Sequence, residues 1–193
     1  MKEQITILGV PIDNITKKQA SNITEELIKN SKKSCKMVFA PNVEFIMMAQ
    51  KDKEFFDILK KSSLSTPDSI GVIIGAKMQK KQFKERIPGQ TYFRQIISLS
   101  NEKGYSIYLL GGKQGIADQA KKNLEKLFPK VNIVGTHHGY FNEEEEKEVI
   151  SEINKLKPNV LFVALGAPYQ EKWIAKHKEE LQVDIATRTR RYI

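Results

Sequence analysis

The chain has one cysteine, Cys35, so it can build neither a disulfide framework nor a cysteine-based metal cluster. Cys35 opens the apolar run Lys36-Met37-Val38-Phe39, where it reads as a small buried hydrophobe. No run approaches the roughly 20 apolar residues that cross a bilayer, and no signal-peptide pattern opens the chain. The expected location is cytoplasmic. No Asp-x-Asp pair is present to hold Mn²⁺ or Mg²⁺ on a nucleotide diphosphate, and no Ser/His/Asp or Cys/His set stands out. No metal and no cofactor are expected, and helix termini and cationic side chains must neutralise any bound diphosphate. Linkers, repeats and low-complexity stretches are also missing, which leaves nothing to divide the chain before its last residues. Finally, Val10-Pro11-Ile12-Asp13 stands where a nucleotide-dependent oxidoreductase carries its glycine fingerprint.

The 193 residues carry a net charge of +9, which points to anionic partners such as nucleic acid, an acidic lipid surface or a phosphorylated substrate. Much of the excess lies in lysine pairs on solvated helix faces. A basic nucleic-acid-binding domain is the non-enzymatic alternative. It calls for a basic stripe interleaved with aromatics, which the scattered lysines do not supply.

Short apolar runs alternate with longer amphipathic ones, the pattern of βαβ units. The predicted fold is α/β and Rossmann-like, a mostly parallel sheet with helices on both faces. Strands are expected at Ile5–Val10, Cys35–Ala40, Tyr105–Leu110, Val131–Gly135, Val160–Leu165 and Val183–Ala186. Helices are expected at Thr16–Asn30, Val43–Lys61, Thr91–Lys103, Gly115–Phe128, Glu143–Leu156 and Gln170–Glu180, and a further one begins at Ile70. Asn142 caps the acidic helix start at Glu143, and Pro129 and Pro158 each follow a helix they cannot continue. One domain is expected over 1–186, followed by a polar, basic tail over 187–193 that contains Arg188, Arg190 and Arg191.

Ligands of such sheets bind beyond the carboxyl ends of the strands. Four segments fall there: Ala40-Pro41-Asn42, Thr66-Pro67-Asp68, Leu110-Gly111-Gly112-Lys113 and Gly166-Ala167-Pro168-Tyr169-Gln170-Glu171-Lys172-Trp173. Spacing alone makes Asn42 and Asp68 helix caps. A carboxylate against apolar surface would instead have a raised pKa and could act as a base. Gly111 and Gly112 let a ligand approach the backbone, and Gln170 beside Glu171 offers donors and acceptors to a sugar or uracil. Trp173 reads as packing, His177 as solvated, and adjacent His137-His138 as pointing to opposite faces.

With Glu85-Arg86-Ile87-Pro88-Gly89 and Gly135-Thr136-His137-His138-Gly139-Tyr140-Phe141, these segments resemble in order and spacing the WecG/TagA/CpsF family, glycosyltransferase family 26, over about residues 3 to 185. The resemblance implies an inverting, metal-independent transfer of N-acetylmannosamine from UDP-N-acetylmannosamine to the 4-hydroxyl of N-acetylglucosamine on undecaprenyl diphosphate, in wall teichoic acid or related polymer synthesis. An N-acetylmannosaminuronic acid donor is the alternative within the family. Asp68 falls on the family's catalytic base, Asn42 and Gln170 on pocket-lining polar positions, and Arg86 on a basic position nearby. Gly111, Gly112, Tyr140 and Glu171 carry over to the nucleotide-sugar site. The implied partners are the UDP-sugar, the lipid-linked acceptor and the anionic inner membrane face, with no nucleic acid.

Two residues depart from the family pattern. Ala40 replaces a Thr, and Ser69 replaces a Gly, with a less permissive backbone. The basic, aromatic C-terminal appendage that follows in the family is also absent after Val183-Asp184-Ile185. The expectation is a core that binds nucleotide, transfers sugar poorly and exposes an apolar patch that favours a homo-oligomer.

Overall fold

The computed structural model describes residues 3–189. It opens with β1 (Gln4–Ile7) and β2 (Val10–Asp13), an antiparallel hairpin in a sheet of its own. The single strand expected over Ile5–Val10 is broken because Leu8 and Gly9 both take positive φ, 45° and 82°, the primed two-residue turn that matches strand twist. Leu-Gly is a poor signal for that turn, since leucine rarely enters the left-handed region. Alternate residues Ile5, Ile7, Val10 and Ile12 are buried, so the hairpin packs as a covering flap.

The main sheet is parallel throughout, in the order β4-β3-β8-β7-β5-β6. Its strands are β3 (Lys36–Phe39), β4 (Leu64–Ser65), β5 (Ser106–Gly111), β6 (Asn132–His137), β7 (Val160–Ala164) and β8 (Ile185–Arg188). The helices are α1 (Lys17–Asn30), α2 (Val43–Ala49), α3 (Lys53–Lys60), α4 (Ile70–Met78), α5 (Gly89–Lys103), α6 (Ile116–Leu127), α7 (Glu143–Leu156) and α8 (Tyr169–His177). The α/β expectation is met.

Strand residues alternate between two cores. Val38, Ile107, Leu109, Val160, Phe162 and Ile185 pack with residues of α1, α5 and α6. Met37, Phe39, Tyr108, Leu110, Leu161, Val163 and Ala186 pack with the hairpin, α2, α3, α7 and α8. Apolar residues therefore occupy both faces of every inner strand, which explains their unbroken apolar runs.

Capping sets several ends. Thr16 and Asn142 each form a capping box at the start of α1 and α7. The helix expected over Val43–Lys61 is two helices, because Asp52 leaves helical geometry and caps α3 by accepting from the Phe55 amide at 3.0 Å. Lys172 of α8 then clamps that corner with ion pairs of 2.7 Å to both Asp52 and Glu54.

Two sequence expectations are corrected here. The stretch read as a tail from Thr187 begins inside β8, where Thr187 and Arg188 are buried between β3 and β7; Arg190 and Arg191 lie outside the described residues. His177 is buried rather than solvated. Its Nδ1 bonds Glu180, its Nε2 lies 3.4 Å from Glu146, and its ring sits 4.9 Å from that of Trp173. A helical period shows which face a residue takes, and only the packing of α8 on α7 shows that this face is covered.

Candidate active site

The carboxyl ends of the parallel strands bring the loop after β4 against the start of α5 and the end of β8. Asp68 stands at their junction. Its Oδ1 accepts the Gly89 amide at 2.8 Å, and its Oδ2 lies 3.3 Å from Arg188 Nη2. The cap of α4 is not Asp68 but Ser69, whose hydroxyl accepts from the Val72 amide. Asp68 is therefore free of the structural duty that spacing assigned to it. Its surroundings are a backbone amide and a guanidinium rather than the apolar wall the sequence suggested. Ser69 holds φ −108° and ψ 157°, extended backbone open to any residue, so its replacement of Gly strains nothing.

Asp68 borders two concavities. A cavity between β8 and α5 is lined by Asp68, Gly89, Gln90, Tyr92, Thr187 and Arg188, among others. An open groove between α2 and α4 is lined by Asn42, Val43, Asp68, Ile70, Gly71 and Arg86, among others. Asn42, Asp68 and Arg86, far apart in sequence, thus line one groove. Asn42 does cap α2, its Oδ1 accepting from Phe45 at 2.9 Å.

Arg188 is the residue that sequence reasoning missed. Side chains in β8 alternate, so after Ala186 it points to the same face as the hairpin-side core. There its guanidinium lies 4.3 Å from the centre of the Phe45 ring and donates to the Ala40 carbonyl at 2.5 Å. The Ala40 backbone makes this contact, so the missing hydroxyl does not disturb it. Behind Arg188, its Nε lies 3.9 Å from Oε1 of the wholly buried Glu171. Burial pushes the Glu171 carboxyl up to about 7, against the opposing pull of the Arg188 charge and the Gln170 hydrogen bond. Gln170 is buried too. It accepts the Gly166 amide at 3.2 Å and donates to Glu171 Oε1 at 2.9 Å, so it orients Glu171 and the loop after β7 and does not line either concavity.

Gly111, Gly112 and Tyr140 fall elsewhere. From β4 to β5 is four strand steps, about 19 Å at about 4.8 Å each, and Tyr140 follows β6, one strand further on. Gly111 has φ 132°, and a Cβ there would lie 2.4 Å from the Ala164 carbonyl oxygen. Gly112 donates to that carbonyl at 3.2 Å and accepts from Gly139 at 2.8 Å. These glycines join the ends of β5, β6 and β7. Tyr140 is 71% exposed. Beside it, the rings of His137 and His138 do not diverge as expected but lie 4.4 Å apart, because His138 falls past the end of β6.

The sequence matches the glycosyl transferase WecG/TagA/CpsF family over residues 5–189. The chain belongs to this family. A Bacillus subtilis (strain 168) protein named N-acetylglucosaminyldiphosphoundecaprenol N-acetyl-beta-D-mannosaminyltransferase is 31% identical over 137 residues, which are 71% of this chain and 53% of that protein. A Staphylococcus aureus (strain NCTC 8325 / PS 47) protein of the same name is 26% identical over 179 residues, 93% of this chain and 70% of its own length. The chain thus spans about half of one relative and about two thirds of the other. Among the described residues no helix is long and apolar enough to cross a membrane.

Proposed function

We propose that the chain transfers N-acetylmannosamine from a UDP donor to the 4-hydroxyl of N-acetylglucosamine on undecaprenyl diphosphate, at the inner membrane face, with inversion and without a metal ion. The observation that carries this is the position of Asp68. It stands where cavity and groove meet, relieved of capping by Ser69, and is aimed by the Gly89 amide and Arg188. Family membership and the names of the two relatives supply the reaction class and the acceptor.

In this reading, Asp68 accepts the proton of the acceptor hydroxyl as that oxygen attacks the anomeric carbon of the donor from the face opposite UDP. The bond from that carbon to the diphosphate breaks, and its electron pair leaves with UDP. Asn42 and Arg86 orient the acceptor in the groove. The donor lies along the carboxyl edge, with its sugar toward Asp68 and its uridine toward Gly111, Gly112 and Tyr140. Gln170 and Glu171 act indirectly, by seating Arg188 and the loop after β7. Metal independence rests on the sequence, which has no Asp-x-Asp pair.

The test is release of UDP from UDP-N-acetylmannosamine in the presence of a lipid-linked acceptor. Asp68→Asn keeps the shape and the hydrogen bond to Gly89 but removes basicity. It should lower turnover about 10²–10⁴-fold with little change in melting temperature. Near-normal turnover would remove Asp68 as base. EDTA should leave the rate unchanged, and a rate restored only by Mn²⁺ would overturn the metal-free mechanism.

A further inference from the structure

An uncovered apolar surface lies beside the groove. On α4, Ile70, Ile74 and Met78 stand four residues apart, share one helix face and are 61%, 52% and 82% exposed. On α2, Val43 and Met47 repeat the spacing and are also exposed. The two stripes touch, since a Cβ on Gly71 would come within 2.3 Å of Val43 Cγ2. Leu8, exposed at the tip of the β1–β2 hairpin, extends them, its carbonyl accepting from Gln50 just past α2 at 3.0 Å. A helix facing water turns polar residues outward. The sequence of α4, IGVIIGAKM, has none before Lys77.

Basic side chains border this surface. Lys51 follows α2, Lys77, Lys80 and Lys81 gather at the end of α4, and Arg86 stands across the groove, all of them exposed. Glu44 is the acid on the α2 side. Apolar side chains within a cationic rim suit an anionic bilayer surface. The apolar groups enter the headgroup region while lysine stems lie along it and keep their charges at the lipid phosphates. A second copy of the chain fits less well, because two-fold pairing of this patch would bring the lysines of one copy toward those of the other.

We propose that the α4–α2 face docks on anionic phospholipid. The groove shares Val43, Ile70 and Gly71 with this face and holds Asp68 at its inner end, so a headgroup carried on a lipid would enter it from the membrane plane. Docking rests on the patch and its rim, not on the transfer reading.

The experiment is co-sedimentation of the full chain with phosphatidylcholine vesicles, with and without phosphatidylglycerol. No sugar or acceptor is present, so the result is separate from that of the transfer assay. The chain should bind the phosphatidylglycerol vesicles, and less tightly as salt rises. Ile74→Glu with Met78→Glu should weaken binding about tenfold or more, and each Gln substituted at Lys77, Lys80 or Lys81 about fivefold. These side chains are exposed, so melting temperatures should stay close to that of the parent. The proposal is overturned if the parent ignores anionic vesicles or if the Glu variant binds them equally well. It is also overturned if sedimentation velocity without lipid shows the parent associating and the Glu variant monomeric, which would make the patch a contact between copies.

Discussion

At the β4–β3–β8 end of the sheet the groups that bear on chemistry are charged side chains locked to one another. Asp68, Arg188 and Glu171 form a chain from the cavity mouth into the core. At the β7–β5–β6 end they are backbone, with Gly111, Gly112 and Gly139 pressed together and an exposed tyrosine beside them. In the proposed reading, this difference would let one sheet edge serve two tasks. A reacting centre needs groups held in one orientation, which buried charge networks supply at a desolvation cost. Strand ends that pack backbone against backbone leave no space for a Cβ, which is why glycine stands there.

Substitutions at the two ends should therefore fail differently. Arg188→Met is expected to have the largest effect. It leaves Asp68 without its guanidinium and the buried Glu171 without its nearest countercharge, which should cost about 3–5 kcal/mol in denaturant unfolding as well as turnover. A variant that loses turnover but keeps full stability would show that Arg188 acts only on the reaction. Gly111→Ala should cost about 3 kcal/mol, because φ 132° and the Ala164 carbonyl both oppose a Cβ. If the same substitution were tolerated, the tight joining of β5 to β7 would not be what demands glycine there.

Glu171→Gln gives the smallest effect and the sharpest test of coupling. The folded carboxyl titrates at about 7, above the ordinary carboxylate value of 4.5, so the folded state holds its proton where the unfolded state has lost it. That contribution to stability is full below about 4.5 and is lost as pH rises through about 7. The parent should lose about 2 kcal/mol more than Glu171→Gln between pH 5 and pH 8, read from melts across that range. Parallel pH profiles for the two proteins would mean that Glu171 is not held neutral by its burial.

Much of this was legible in the sequence, because its signals are local. Periodicity separated strands from helices, Asn142 and the prolines marked helix ends, and the carboxyl-end rule pointed to the loops that hold Asn42 and Asp68, while Arg86 came from the family resemblance. The failures share a cause. Arg188 read as part of a polar, basic tail because its neighbours in sequence are polar, yet β8 inserts it between β3 and β7, where it meets Asp68 from 120 positions away. Ser69 took the cap expected of Asp68, a choice between adjacent residues that turns on backbone angles. Glu171 read as a ligand-facing residue and His177 as a solvated one until α8 was packed against α7 and the sheet. The sequence by itself determined the alternation of elements, hence the parallel sheet and the edge where ligands bind. Which charges are buried together at that edge was decided only in three dimensions, since burial depends on what covers a residue and its partners lie far along the chain.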